Sequence, residues 1–315
     1  MSDSSKIEWT QSDDGTPGAT WNPVTGCTKV SSGCDHCYAE TFAERWRGIP
    51  GHHFENGFDV TLRPERLGQP LRWKRPRRIF VNSMADLFHE AVPDEYLHRV
   101  FAVMGMASQH TFIVLTKRHA RMRSFLQDNC RCGRGHVPGV HLRSAMDWAG
   151  TTHSPTYVPG VVGADVYHRR QWPLPNVWLG ISAEDQKWWD IRVPALMDTP
   201  AAVRFVSAEP LLGPIDPALD HECGDPPHWQ CPPMPDWLII GGESGPGARP
   251  MRLEWVRELL AQCREPEVKT VPFVKQLGSV LGRELGAGPK GGDWDRWPED
   301  LRVREFPRTA EAVTA

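Results

Sequence analysis

Three cysteines, Cys27, Cys34 and Cys37, stand within eleven residues in the stretch TWNPVTGCTKVSSGCDHCYAE. Their spacing is C-x6-C-x2-C, and the aromatic Tyr38 follows the last. Close thiols hold zinc, hold an iron–sulfur cluster, or pack as buried structural groups. Their neighbours here are Gly, Ser, Thr, Asp and His, which make a loop and not a core, so burial fits worst. Structural zinc usually takes its ligands as two separated pairs. This run offers one C-x2-C pair and a single upstream cysteine, and His36, between two cysteines, would strain the chelate. A cubane cluster with three thiolates and one open iron suits the count better, with zinc as the alternative.

A second set, Cys130, Cys132, Cys223 and Cys231, lies in two segments that also carry His136, His141, His221 and His228. Together they read as a structural zinc site pinning two loops, as four unrelated loop cysteines, or, less readily, as a second iron–sulfur site. Cys263 falls on the apolar side of a helical segment and reads as a core residue.

These residues need a frame. Six short apolar runs, RIFVNSMAD, TFIVLTKR, NVWLGISAED, VRFVSAEP, DWLIIGGESG and KTVPFVKQLG, each end in polar residues, as buried parallel strands do. Amphipathic segments at 94–108, 183–199 and 253–263 alternate with them. A further strand near 20–23 brings the count to about seven, which predicts an α/β fold: a partial or complete (β/α) barrel in one domain. An open doubly wound sheet is the second choice. Loop insertions are expected at about 128–173 and 217–235, and an irregular C-terminal cover at about 283–315. Ligands gather at the C-terminal ends of such strands.

The 315 residues are 40% hydrophobic, ample for a core, and the net charge of −3 argues against a wholesale nucleic-acid binder. No apolar run approaches a membrane span and MSDSSKIEWT has no signal-peptide core, so a cytoplasmic protein with no membrane partner is expected. In a reducing cytosol, eight cysteines read as ligands or buried thiols.

The cysteine loop follows the first strand and runs into a helix, CYAETFAERWR. There the chain resembles the radical S-adenosylmethionine enzymes, whose first barrel loop carries a three-cysteine motif. Their usual spacing puts three residues between the first two cysteines, where this chain has six. VNSMADLFHEAVP, VLTKR and LGISAED are similar to strand ends of the spore photoproduct lyase branch. The runs IEWT, TWNPVTGC, NSMADLFHEAVP, LTKR, SAEPLLGPI, GGESGPGARPM and GGDWDRWPEDLRVREFP resemble the phage-associated three-Cys-motif family, a radical-SAM-like group, over most of the chain.

The resemblance implies a [4Fe-4S] cluster on Cys27, Cys34 and Cys37, S-adenosylmethionine on the open iron, and an electron donor such as flavodoxin or ferredoxin. The reaction it implies is a 5′-deoxyadenosyl radical taking hydrogen from substrate. Ser83 and Asp86 would receive the cofactor's ammonium and Lys117 and Ser182 its carboxylate, with His36 also among the cofactor-binding residues. Arg118, next along the alternating strand, would point away. Glu209, Glu243, Lys275 and Gln276, joined by Arg249, are expected at the substrate as catalytic or contact residues.

The phage association and the basic run WKRPRR point to a nucleobase, nucleotide or nucleic acid as substrate, though the run also reads as a solvated entry to a strand. Two other classes stay open. One is a non-catalytic zinc or iron–sulfur module that binds nucleic acid. The other is a phosphosugar-type barrel enzyme using GGESGPG as its phosphate loop.

Overall fold

The computed structural model describes residues 4–12, 15–127, 139–149, 172–217, 234–266 and 268–307. Cys130, Cys132, Cys223, Cys231, His136, His221 and His228 lie outside the described residues, as does most of both expected insertions. The strands are β1 (Ala19–Trp21), β2 (Val24–Thr25), β3 (Thr61–Leu62), β4 (Arg78–Val81), β5 (Thr111–Thr116), β6 (Val177–Ser182), β7 (Val203–Ala208), β8 (Trp237–Gly241) and β9 (Val271–Gln276). All six apolar runs and the expected first strand are among them.

One sheet has the order β1-β4-β5-β6-β7-β8-β9, and β2 pairs with β3. The pairs β1–β4, β4–β5, β7–β8 and β8–β9 are parallel. The order never reverses, which removes the doubly wound alternative, since that arrangement needs a switch point. The fold is mixed α/β, a parallel sheet flanked by helices, with the strand order of a partial (β/α) barrel. Burial follows: β6 and β8 are buried at every position, as strands covered on both faces must be.

The helices are α1 (Tyr38–Glu44), α2 (Asp94–Met106), α3 (His119–Gln127), α4 (Val140–Ala149), α5 (Gln186–Met197), α6 (Leu253–Cys263) and α7 (Gly278–Glu284). Asp94 and Glu95 complement the dipole at the start of α2, which buries Leu97, Val100, Phe101 and Met104 at helical spacing. The Asp185 carboxylate caps α5 by accepting the Trp188 N–H at 3.1 Å. In α6 the buried set is Val256, Leu259, Leu260 and Cys263, each aliphatic side chain contributing about 1.5–3 kcal/mol.

Two compact units are distinguished: Met1–Val30, Cys37–Gly180 and Asp198–Ala202 form the first, and Ser31–His36, Ile181–Met197 and Val203–Ala315 the second. The core of the first includes Trp21 against Phe112, with ring centroids 5.7 Å apart. In the second, Trp237 packs between Phe205 and Phe273, each at 5.8 Å. The C-terminal cover joins this core, with Arg304 bridging to Phe273 on β9. Its guanidinium lies 4.7 Å from the Trp294 ring and donates to the carbonyls of Val274 and Lys275.

Candidate functional site

In the first unit, β2 delivers the chain to Gly26. Its φ of 87° is left-handed, and a Cβ there would collide with the carbonyls of Phe58 and Asp59. Gly26 N–H donates to Met84 O at 2.9 Å and Cys27 N–H to Phe58 O at 3.1 Å, which fixes the Cys27 backbone.

The Cys27 sulfur meets Arg118, whose Nη1 lies 3.3 Å away. Here the expectation from strand alternation fails. β5 ends at Thr116, so the two-residue period no longer governs positions 117 and 118. The Arg118 side chain is 9% exposed and also donates to Glu90 Oε2 at 3.1 Å, Thr28 Oγ1 at 2.8 Å and Asp86 Oδ2 at 3.4 Å. Burial opposes its charge, but Asp86 and Cys27 outweigh this and raise its pKa. Thr28 Oγ1 also meets His89 Nε2 at 2.9 Å. His89 Nδ1 accepts the Ala91 N–H, which puts the ring proton on Nε2, and burial followed by Arg118 lowers its pKa.

Asp86 is engaged by four donors. Oδ1 accepts from Phe88 N and Thr116 Oγ1, and Oδ2 from Lys117 N and Arg118 Nη1. A carboxylate has about four acceptor directions, so Asp86 is a brace holding the end of β5 to the turn after β4. It also fixes the backbone that presents Lys117. Ser83 Oγ exchanges hydrogen bonds with the Asn22 amide, and Tyr38 Oη donates to the Ser83 carbonyl. Between β4 and Ser83, Asn82 adopts a left-handed φ of 59°, and its Nδ2 is buried without a hydrogen-bond partner. The WKRPRR run enters β4 from its other end, with Trp73 buried and the Arg77 guanidinium 5.3 Å from its ring.

In the second unit, two ion pairs hold residues 31–36. Glu184 and Arg192 are fully buried and 3.0 Å apart, and Arg192 Nη1 also donates to the carbonyl of buried Ser182. The other Glu184 oxygen accepts Ser31 Oγ at 2.7 Å, and that hydroxyl lies 3.9 Å from Cys34 Sγ. Gly33 packs onto the Glu184 side chain with no room for a Cβ. The second pair is Glu243 with Arg249, whose Nη2 and Nη1 also reach Ser32 O at 2.8 Å and Asp35 Oδ2 at 3.2 Å. His36 Nδ1 sits 3.2 Å from Glu243 Oε2. Burial works against ionising Glu243, but the hydrogen bonds from Arg249 outweigh it and lower its pKa.

A separate group stands at the ends of β7 and β9. Glu209 Oε1 accepts Lys275 Nζ at 2.6 Å and Gln276 Nε2 at 3.3 Å, and Gln276 also donates to Gly242 O at 3.2 Å. Three of the four expected substrate residues therefore come together, and Glu243 sits instead with Arg249 and His36. Glu184, Arg192 and His89 were not singled out from sequence. The signal for Glu184 in the sequence is its place two residues beyond a strand end.

Cys27, Cys34 and Cys37 are partly exposed and outside any disulfide. Cys263 differs: it is buried, and burial pushes its thiol up to about 12. Among the described residues, no three His, Cys, Asp or Glu side chains converge as a ready metal site, and no helix is long and apolar enough to cross a membrane.

A family model described as "Protein of unknown function (DUF5131)" matches residues 4–298. No curated protein and no solved structure matches the chain.

Proposed function

The chain belongs to the DUF5131 family, and we propose that it is a radical S-adenosylmethionine enzyme whose cluster is held by Cys27, Cys34 and Cys37. The observation that carries this is the C-x6-C-x2-C loop itself, whose three cysteines are partly exposed while Cys263 is buried. Reactive thiols sit in partly exposed, electropositive places, whereas buried ones are inert, and Arg118 supplies the positive charge at Cys27. The buried, unpartnered Asn82 Nδ2 at the end of β4 offers a donor for a polar ligand. When bound, a [4Fe-4S] cluster with S-adenosylmethionine and an electron from a flavodoxin or ferredoxin supplies hydrogen abstraction from substrate.

The protein's own part is positioning. Ser83 and Lys117 are proposed to bind the methionyl portion of the cofactor, with Asp86 setting the Lys117 backbone. Glu209, Lys275 and Gln276 are proposed as the substrate contacts, supported by their clustering at two strand ends. A nucleobase or nucleotide suits them, because a carboxylate, an ammonium and an amide offer both donors and acceptors.

Anaerobic reconstitution with iron and sulfide tests the reading. A brown protein with about four irons is expected, its visible absorption lost in Cys27→Ala, Cys34→Ala and Cys37→Ala. Full iron retained in any two of these variants, or a colourless zinc protein, overturns it. The zinc result would favour a non-catalytic binding module.

A further inference from the structure

The Cys27 sulfur faces a largely buried cation, whose side chain is 9% exposed. Arg118 belongs to the chain just after β5, ninety-one residues beyond Cys27, yet its Nη1 lies 3.3 Å from the sulfur. Four other contacts aim it. Nε goes to Glu90 and Nη2 to both Thr28 oxygens, while Nη1 also touches Asp86 Oδ2. The guanidinium is thus gripped by the residue next to Cys27 and by two carboxylates from the segment after β4. A planar fork can satisfy these directions together, and a lysine ammonium cannot. The Cys34 sulfur lies 3.9 Å from a neutral hydroxyl, that of Ser31.

We propose that Arg118 is a positioning residue for Cys27, donating a charge-assisted hydrogen bond that fixes its sulfur and favours added negative charge there. Its effect on a cluster rests on the reading of the three-cysteine loop given above; the contact itself does not. Hydrogen bonds and net charge at ligating sulfurs set the potential of an iron–sulfur centre. Charge-assisted bonds are roughly twice as strong as neutral ones. Removing this one disfavours the reduced, more negative state.

Two measurements separate the contact from the cluster. The first uses reduced, metal-free full-length protein and iodoacetamide at one fixed pH. Lys29 lies between Cys27 and Cys34, so tryptic peptides report Cys27 apart from the Cys34–Cys37 pair. The Cys34–Cys37 peptide serves as the internal reference in each protein. Because a neighbouring cation favours the thiolate, the Cys27 rate should fall roughly tenfold in Arg118→Gln, with partial recovery in Arg118→Lys. A Cys27 rate no faster in a folded Arg118→Lys protein than in Arg118→Gln overturns the proposal. So does an unchanged Cys27 rate in a folded Arg118→Gln protein.

The second measurement is the midpoint potential of the reconstituted protein. A roughly tenfold loss in the reduction equilibrium moves it about 59 mV more negative in Arg118→Gln. An unmoved potential in a loaded Arg118→Gln protein overturns the proposal. If no cluster forms in unaltered protein while the alkylation difference holds, the Arg118–Cys27 contact stands and the enzyme reading falls.

Discussion

Arg249 reaches Glu243 through three donors: its backbone N–H and Nε to Oε2 at 2.8 and 2.9 Å, and Nη2 to Oε1 at 2.5 Å. The same guanidinium holds Ser32 and Asp35, so one side chain orders most of the turn around Cys34. Arg249→Ala should raise hydrogen exchange at the amides of residues 31–36 and cost about 1–3 kcal/mol in denaturant melts. Arg249→Lys should restore little, since a point charge cannot reproduce the fork. Unchanged exchange at residues 31–36 in the alanine variant would count against this role.

The buried pair Glu184–Arg192 predicts a larger effect. Removing one partner of such a pair leaves a charge stranded in a dry site, so Glu184→Leu alone should cost about 3–5 kcal/mol. The double variant Glu184→Leu/Arg192→Met should cost less than either single change. Urea midpoints of the three variants decide it.

Gly33 couples to the same carboxylate. A Cβ at Gly33 would overlap the Glu184 side chain, so Gly33→Ala should be destabilising in the unaltered chain and much less so with Glu184→Ser. A double-mutant cycle showing simple additivity would refute the contact.

His53 predicts an acid limb. Burial, then Arg66 and Arg63, lower its pKa to about 4 from a usual value of 6.5, and Arg66 Nη2 lies 3.2 Å from Nδ1. Between those values the unfolded chain binds the proton that the folded chain refuses, so this site's contribution to stability falls as pH drops from about 6.5 to about 4. His53→Gln should flatten that part of the stability profile, read from melts at pH 7 and pH 5.

The strands were legible because short Val-, Ile- and Phe-rich runs bounded by polar residues have few other uses, and α6 because its apolar spacing is helical over the whole of 253–263. The partnerships were less legible. The period-two rule that would turn Arg118 away stops where β5 stops, and the sequence does not mark that end within a residue. Glu184 stood in plain view as the third letter of SAED, but its partners, Arg192 on α5 and Ser31 in the cysteine loop, follow from tertiary packing alone. Asp86, expected at a ligand, accepts from four protein donors that tie β5 to the turn after β4. A carboxylate in the turn after a strand serves either purpose equally well from sequence.

The bridge from Arg304 to Phe273 has a consequence for solubility. β9 is the last strand of its sheet, and a bare strand edge is a template for another chain. Val274 N–H donates instead to Val303 O at 2.8 Å, and Glu305 N–H to Pro272 O at 3.1 Å, so the C-terminal segment occupies the open side antiparallel to the strand. Shortening the chain to end before Val303 would unmask Val271–Gln276, a run with four apolar residues. Such a truncated protein should fail first by self-association that rises with concentration, while the remaining strands still pair.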